Sequence, residues 1–281
     1  MKNFLKPFFR GTFSGIQIFR ELVYFLNKES LNNRYLIVKL RNCDCYLLVD
    51  TSDSWGTDVL RFGVVETPED KFVKKIIKNG NTVLDIGAHW GGFSTCFGNL
   101  VGEKGKVYSF EASRRNFSFL RKNIKINRLE GIVESFNFAV GEKEGYVELT
   151  ISEESSGHNS IVRKNINSRK KETVKQIYID KFIEENNINR VDFIKIDVEG
   201  YELNVLMGME TLLKRSKDLW LFIEFSPMFM RKEDALKLYE LLQKNFKKTF
   251  IAHQKKVYEV PWEEALKISM EKGQRNLFLY K

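Results

Sequence analysis

A glycine-rich turn preceded by an acidic residue occurs at a place where nucleotide-like ligands are commonly bound. Asp85 comes two residues before Gly87, and Gly91 follows four residues after it. Glycines at such a turn let the backbone bend sharply and approach a ligand closely. The spacing lacks the middle glycine of the dinucleotide fingerprint, and a carboxylate here would repel a pyrophosphate. The pattern therefore favours a ligand that carries a cationic amino group and a sulfonium.

A second acidic residue, Glu111, ends the next predicted strand, one helix further along the chain. A carboxylate at this place accepts both ribose hydroxyls of an adenosine in dinucleotide-binding folds. Asp85 and Glu111 together predict a site for a positively charged nucleoside, a methyl donor, rather than for a nicotinamide dinucleotide.

Three more acidic residues follow later strands and suggest the chemistry. Asp197 comes directly after an apolar strand, Glu199 lies two residues later, and Glu224 lies near the end of the next strand. Methyl transfer to a hydroxyl needs aligned reactants and a group that takes the proton. Asp197 is the predicted base or substrate-binding residue, and the alternative is that it caps the following helix. Three such acids could also hold Mg²⁺, but nothing fixes a ligand geometry, and no metal is predicted.

Two histidines are further candidates. His158 lies in a long polar segment, residues 152–173, and is predicted to be a base or a sugar-binding residue, the alternative being an exposed loop histidine. His89 either orients the cofactor or packs beside Trp90. The same polar segment contains basic residues that are expected to form a solvated lip or to contact a charged acceptor, namely Arg163, Lys164, Arg169, Lys170 and Lys171.

Alternating strands and helices must position these residues. Strands are predicted over residues 82–86, 106–110, 133–140, 146–151, 174–179, 191–196 and 219–225, with helices after several of them. Two further strands, a helix and a last strand follow. This alternation predicts an α/β fold with a doubly wound, mostly parallel sheet, whose ligands bind beyond the carboxyl ends of the strands.

Several short motifs resemble those of the FkbM-type methyltransferases. They are Asp85-Ile86-Gly87-Ala88, Phe110-Glu111, residues 137–141, residues 193–200 and Ile223-Glu224-Phe225, with Glu66-Thr67-Pro68 upstream. The resemblance covers residues 60–226 and implies a class I, Rossmann-like fold. Such a fold has a seven-stranded sheet of order 3-2-1-4-5-7-6 with its last strand antiparallel. The chain departs from the family at His89-Trp90, where asparagine and a small or aliphatic residue are usual.

The resemblance also implies S-adenosyl-L-methionine as cofactor and O-methylation of a hydroxyl of a sugar, glycan or secondary metabolite. The cofactor-binding residues predicted from the motifs are Glu66, Asp85, Gly87, Ala88, His89, Gly91, Glu111, Ala112, Asn137, Ala139 and Asp197. The predicted catalytic residues are Asp197, Glu199, Glu224 and His158.

Three alternatives stay open. An RNA ribose 2′-O-methyltransferase fits the positive charge, but no RNA-binding module is visible, and nucleic acid is not the predicted partner. A nicotinamide-dependent oxidoreductase is disfavoured by Asp85 and the missing glycine. A non-catalytic scaffold is disfavoured by the joint presence of Asp85, Glu111 and Asp197.

The N-terminal part lies outside most of these motifs. Residues 1–30 are rich in Phe, Lys and Arg and lack the continuous apolar stretch of a signal peptide or membrane span. They are expected to form a helical arm on the domain or on a partner, the alternative being peripheral contact with an anionic membrane. A strand pair over residues 35–49 and a polar connector follow. The predicted domains are an extension, residues 1–65, and a methyltransferase domain, residues 66–281.

Composition sets the remaining limits. Of the 281 residues 43% are hydrophobic and 30% charged, which excludes a disordered chain. The net charge of +9 comes from scattered lysines and indicates a solvated basic surface. Cys43 and Cys45 are two residues apart and Cys96 is isolated in sequence, so neither a disulfide framework nor a zinc site is predicted. Sparse cysteines predict a reducing, cytoplasmic location, with a membrane-peripheral one as the alternative.

Overall fold

The computed structural model describes residues 34–41, 43–63, 69–153, 155–163, 170–253, 256–272 and 275–281. The predictions for residues 1–30, Glu66, Lys164 and Arg169 fall outside these ranges. Within these ranges, no helix combines the length and the apolar character that a bilayer crossing requires.

Thirteen strands and nine helices form the described part of the chain. The strands are β1 (Tyr35–Lys39), β2 (Tyr46–Asp50), β3 (Thr82–Ile86), β4 (Lys106–Phe110), β5 (Val133–Phe136), β6 (Ala139–Val140), β7 (Gly145–Ile151), β8 (Lys170–Ile177), β9 (Phe193–Ile196), β10 (Trp220–Phe225), β11 (Lys248–His253), β12 (Lys256–Val260) and β13 (Arg275–Tyr280). The helices are α1 (Ser54–Phe62), α2 (Glu69–Ile76), α3 (Gly92–Val101), α4 (Arg114–Ile126), α5 (Ile179–Glu185), α6 (Glu202–Met207), α7 (Glu210–Arg215), α8 (Lys232–Asn245) and α9 (Trp262–Lys272).

The central sheet has the predicted topology with one addition. Its spatial order is β12-β11-β13-β10-β9-β3-β4-β5. Strands β5, β4, β3, β9 and β10 are parallel, while β13 runs antiparallel between β10 and β11. Read from the β5 edge, the first seven strands are β5-β4-β3-β9-β10-β13-β11. Numbered along the chain with β3 as the first, they have the order 3-2-1-4-5-7-6, which confirms the class I fold. The prediction of seven strands is wrong by one, because β12 pairs with β11 in a hairpin and adds an eighth strand at the edge.

Both faces of the central strands are buried, as expected for a parallel sheet covered by helices. On β3 the side chain of Val83 packs towards the cluster that contains α3, whereas Leu84 and Ile86 pack towards the cluster that contains α6 and α7. A separate three-stranded sheet, β6-β8-β7, lies beside this core. The sheet therefore holds its carboxyl edge rigidly, and the functional residues lie at that edge.

Four local predictions are corrected. The polar connector contains α1, because Asp53 caps its first turn and Gly63 ends it in the left-handed region at φ 65°. The strand predicted over residues 133–140 is two strands, β5 and β6. Strand β8 begins at Lys170, so the irregular segment is shorter than expected. The helix predicted after β9 is two helices, α6 and α7, because the chain passes close to another backbone at Gly208, where a Cβ would lie 2.0 Å from the Gly141 carbonyl oxygen.

Residues 34–41 and 43–63, called here the N-terminal unit, pack on the outer face of α4. Asn123 of α4 and Asn127, the residue that caps the end of α4, act as a substitute strand. Asn127 exchanges two hydrogen bonds with the Tyr46 backbone, and Asn123 does the same with Leu48 while also donating to the Trp90 carbonyl. These amides satisfy backbone groups of β2 that would otherwise lose a partner on leaving water.

A disulfide joins Cys43 of this unit to Cys96 of α3, with a Cα–Cα distance of 5.1 Å. The expectation that Cys96 is isolated is therefore wrong, because the fold brings together two residues that are 53 positions apart in sequence. Cys45 stays a thiol, and burial raises its pKa to about 11. The predicted reducing location loses its support from cysteine usage.

Candidate active site

A cavity of about 270 Å³ opens at the carboxyl ends of β3, β4, β9 and β10. The predicted site residues that line it are Gly87, Ala88, His89, Glu111, Ala112, Ala139, His158, Asp197, Glu199 and Glu224. Three predicted residues, Asp85, Gly91 and Asn137, are not among its lining residues. The sequence motifs therefore converge in space, although not every motif residue faces the cavity.

The glycine turn after β3 is tight because it passes close to the segment that follows β9. Gly87 has φ 79°, and a Cβ there would lie 1.8 Å from the Asp197 carbonyl oxygen. Gly91, at φ 85°, is the N-cap residue of α3, and a Cβ there would lie 2.6 Å from Leu120 Cδ1. Of these two glycines, only Gly87 lies against another backbone, and its missing side chain lets the first and fourth core strands end at one site.

Glu111 is fixed by the backbone on both sides. Its two carboxylate oxygens accept hydrogen bonds of 2.8 Å from the backbone N–H groups of His89 and Ser113. Burial raises the pKa of Glu111 to about 7, although these hydrogen bonds oppose the increase. Asn137 braces the same segment, donating to the carbonyl oxygens of Glu111 and Ala112. Asn137 thus positions the Glu111 segment.

Asp85 is fully buried and is not among the residues that line the cavity, and its contact with the cofactor stays a prediction. Its Oδ2 accepts a 2.5 Å hydrogen bond from Ser94 Oγ, and its Oδ1 lies 3.8 Å from Lys195 Nζ. Asp85 and Lys195 are register partners on β3 and β9, so their side chains share a face of the sheet. Burial raises the pKa of Asp85, and the Lys195 charge opposes this increase.

Lys195 is the functional residue to which the sequence reasoning assigned no role. Besides Asp85, its Nζ contacts Asp197 Oδ2 at 3.2 Å and donates to the Gly87 carbonyl at 3.1 Å. A lysine inside an otherwise apolar strand was the available signal, because lysine is rarely buried without a partner. Lys195 links the glycine turn to the acidic residue after β9.

The three acids predicted to converge do so. Single carboxylate oxygens of Asp197, Glu199 and Glu224 lie within 4.8 Å of one another. Burial, together with the neighbouring Asp197, raises the pKa of Glu199 to about 8, although Arg163 opposes the increase. Asp197 does not cap a helix: α6 begins at Glu202, five residues later, with Tyr201 at its N-cap position. The alternative of a purely capping role is therefore wrong.

Glu202 shapes the turn that carries these acids. It is fully buried, and its Oε1 accepts hydrogen bonds from the backbone N–H groups of Val198 and Gly200. Glu199 between them has a left-handed backbone at φ 55°. The turn is closed from outside by residues 160–163, where Ser160 Oγ donates to the Glu199 carbonyl and Arg163 pairs with the Glu199 carboxylate.

Arg163 is not part of a solvated lip. Its side chain is only 19% exposed, and its guanidinium lies over the Phe229 ring at 3.8 Å from the centroid. Lys170 and Lys171 belong to β8 and are exposed. Lys170 pairs with Glu172 of the same strand, and Lys171 pairs with Glu148 of β7. Among the described members, the basic cluster is thus divided between an acid-pairing arginine and surface lysines.

The histidines differ in environment. His158 is exposed, in a 3₁₀ turn (Ser156–His158) that borders the cavity. His89 is enclosed, with its Nε2 2.7 Å from Ser156 Oγ and its ring stacked on Trp90. Burial, aided by the charges of Lys195 and Arg115, lowers the pKa of His89 to about 3, so it is neutral at physiological pH. Both of the roles weighed for His89, packing beside Trp90 and bordering the cofactor site, are compatible with this place.

Together these features define a class of enzyme. A doubly wound sheet of this order, with a glycine turn after its first strand and an acid after its second, is that of the class I S-adenosylmethionine-dependent methyltransferases. The chain belongs to the FkbM family within that class: residues 85–250 match the Methyltransferase FkbM domain.

Individual relatives are distant. The chain is 27% identical over 157 residues to the hexuronic acid methyltransferase AglP of Haloferax volcanii, covering 56% of this chain and 57% of that protein. It is 22% identical over 167 residues to Methyltransferase 1 of Beauveria bassiana, covering 53% of this chain and 62% of that protein. The chain thus spans about three-fifths of the length of these curated relatives.

Solved structures of similar form include an O-methyltransferase from Bacillus cereus in complex with SAH. It shares 15% identity with a TM-score of 0.46, over 77% of this chain and 81% of that one. Another is TYW2 of M. jannaschii in complex with AdoMet, with 14% identity and a TM-score of 0.42, over 89% of this chain and 85% of that one.

Proposed function

We propose that this chain is an O-methyltransferase that uses S-adenosylmethionine to methylate a hydroxyl of a sugar, glycan or secondary metabolite. The observation that carries the proposal is the meeting of Glu111 and the acids Asp197, Glu199 and Glu224 in one cavity. Such a cavity offers a binding site for the nucleoside of the methyl donor and, beside it, a proton acceptor for the hydroxyl of the methyl acceptor.

The residues at the cofactor end fit a nucleoside. Glu111 supplies a fixed carboxylate for ribose hydroxyls, and Phe138, Val140 and Leu149 supply apolar lining for a base. When bound, S-adenosylmethionine supplies a methyl group that its sulfonium already activates. Asp85 acts indirectly in this scheme: it holds Lys195, which in turn holds the Gly87 carbonyl and Asp197.

At the acceptor end, Asp197 is the residue we assign as proton acceptor. Lys195 fixes its Oδ2, so the carboxylate is oriented before the acceptor arrives, and orientation is the main contribution that a methyl transfer needs. Glu199 holds its own proton more tightly than an exposed glutamate, because its pKa is about 8. Glu199, Glu224 and His158 are assigned to binding the acceptor.

A sugar-type acceptor is favoured over RNA. The relative from Haloferax volcanii is a hexuronic acid methyltransferase, which supports a sugar-type acceptor. A small-molecule or glycan partner, no metal ion, a cytoplasmic location and membrane contact through residues 1–30 stay predictions, as does the division at residue 65.

The test combines binding and product analysis. The chain is incubated with isotopically labelled S-adenosylmethionine and panels of glycans, small alcohols and RNA, and products are identified by mass. We expect label on a hydroxyl of a glycan or small alcohol. Label on RNA alone would overturn the choice of acceptor, and label on none of the panel combined with no heat of SAH binding would overturn the function.

Asp197→Asn separates chemistry from binding. The variant should bind SAH with unchanged affinity and lose turnover by about 100-fold or more, the usual contribution of a positioned base. Asp58→Asn, at an exposed acid of α1, is the matched control and should keep full turnover. Wild-type turnover in Asp197→Asn would remove this residue from the chemistry.

A further inference from the structure

Part of one wall of the cavity comes from outside the family domain. Trp55, in the first turn of α1, lines the cavity, although the family match begins only at residue 85. Its ring meets the ring of His89 edge-on at 4.5 Å and that of Trp90 at 5.2 Å between centroids. The backbone N–H of His89 donates to the Glu111 carboxylate, so a single residue, His89, lies between Trp55 and the carboxylate that we assign to the ribose.

A single carboxylate ties Trp55 to the turn that borders the cavity from the other side. Asp53 Oδ1 accepts from the Trp55 backbone N–H, and its Oδ2 accepts from the backbone N–H of Ser156, both at 3.1 Å. The turn lies directly against the tryptophan: a Cβ on Gly157 would be 3.9 Å from Trp55 Cδ1. The two segments therefore form one wall.

This wall is anchored at several points to the glycine turn and to α4. Ser156 Oγ is 2.7 Å from His89 Nε2, and the Ser156 carbonyl accepts from Asn116 Nδ2. Arg115 bridges Asp50 and Asp53, which fixes the start of α1. Such support preorganises a binding site, because the wall does not have to order when a ligand binds.

We propose that Trp55 is a cofactor-binding residue, and that α1 and the Ser156–His158 turn complete the S-adenosylmethionine pocket of this chain. The N-terminal unit is then part of the binding site as well as a covering of α4. This role rests on the proposed function, because the ligand that Trp55 would contact is the nucleoside of S-adenosylmethionine. Aromatic rings suit such a wall, since they bury a large area with few rotatable bonds.

The test measures binding of SAH to the full-length chain by calorimetry. Trp55→Ala should raise the Kd for SAH by about tenfold, the scale of losing one aromatic contact to a nucleoside base. Trp55→Phe should raise it less, because a ring remains. Leu60→Ala is the matched control, because Leu60 packs in the same unit but does not line the cavity. A change in the Kd of this variant would measure the effect of weaker packing of the unit alone.

Fluorescence gives a reading that a purely structural role would not change. SAH should alter the tryptophan emission of the unsubstituted chain, and most of this change should disappear in Trp55→Phe although three other tryptophans are retained. A wild-type Kd in Trp55→Ala, or an equal rise in Leu60→Ala, overturns the role of Trp55 and leaves the proposed function standing. Failure of the unsubstituted chain to bind SAH overturns both.

Discussion

At the scale of single residues, the site depends on charges that compensate one another below the cavity. Lys195 is the buried cation between Asp85 and Asp197, and removing it would leave two carboxylates facing each other without a positive charge. Uncompensated buried charges are costly. The same residue also donates to the Gly87 carbonyl, so the glycine turn and Asp197 share one support.

Glu202 gives a test of how this region responds to pH. Burial raises its pKa to about 7 from a model-compound value of 4.5. Between these values the folded chain binds this proton while the unfolded chain has released it. The contribution of Glu202 to the free energy of unfolding is therefore fully present below about pH 4.5 and is lost as the pH rises towards 7.

Glu202→Gln keeps an oxygen that accepts from Val198 and Gly200 but removes the proton exchange. Its free energy of unfolding should fall less steeply between pH 4.5 and 7, by up to about 1.4 kcal/mol per pH unit relative to the unsubstituted chain. Urea unfolding across this range measures the slope. Glu184→Gln, at an exposed glutamate, should leave it unchanged. Equal slopes in all three chains would contradict a raised pKa at Glu202.

At the scale of elements, α4 carries the N-terminal unit as well as covering the sheet. Asn123 of this helix and its C-cap residue Asn127 are four positions apart and bond to alternate residues of β2. Asn123 is fully buried, whereas Asn127 is half-buried. The two positions therefore offer a matched comparison.

Asn123→Ala should lower the free energy of unfolding by about 2 kcal/mol or more, because it leaves the Leu48 N–H and the Trp90 carbonyl without this partner. Asn127→Ala should cost less, since water can replace its bonds. Equilibrium urea unfolding, followed by circular dichroism, measures both. A smaller loss for Asn123→Ala than for Asn127→Ala would show that the substitute strand contributes little.

At the scale of the whole molecule, the Cys43–Cys96 disulfide joins the N-terminal unit to the helix that follows the glycine turn. Closing a loop of 53 residues should stabilise the folded chain by about 4 kcal/mol through the entropy of the unfolded state. Urea unfolding with and without reductant should show this difference, and Cys43→Ser should abolish it.

Thiol titration provides the direct measurement. The denatured chain should show one reactive thiol, Cys45, before reduction and three after it. Three reactive thiols before reduction would contradict the disulfide and would restore the support that cysteine usage gives to a reducing location.

The sequence was sufficient for those parts of the molecule that are encoded locally. Apolar strands followed by glycine or acid, as at Asp85 and Glu111, predicted the class of sheet and the edge where ligands bind, whereas the strand order was implied by the family resemblance. Ser113 is a residue type typical of helix N-caps, and its side chain accepts from the Asn116 N–H at the start of α4. The convergence of Asp197, Glu199 and Glu224 followed from parallel strands ending at one edge.

Other features needed the tertiary structure because they join residues that are distant along the chain. The register of β3 with β9 placed Asp85 beside Lys195. The packing of α1 on His89 placed Trp55 in the site, and helix α3 brought Cys96 to Cys43. Local sequence determines which conformations a segment favours and which strand ends can carry chemistry. Which side chains finally meet is decided by packing and burial summed over the whole chain, and no segment contains that information alone.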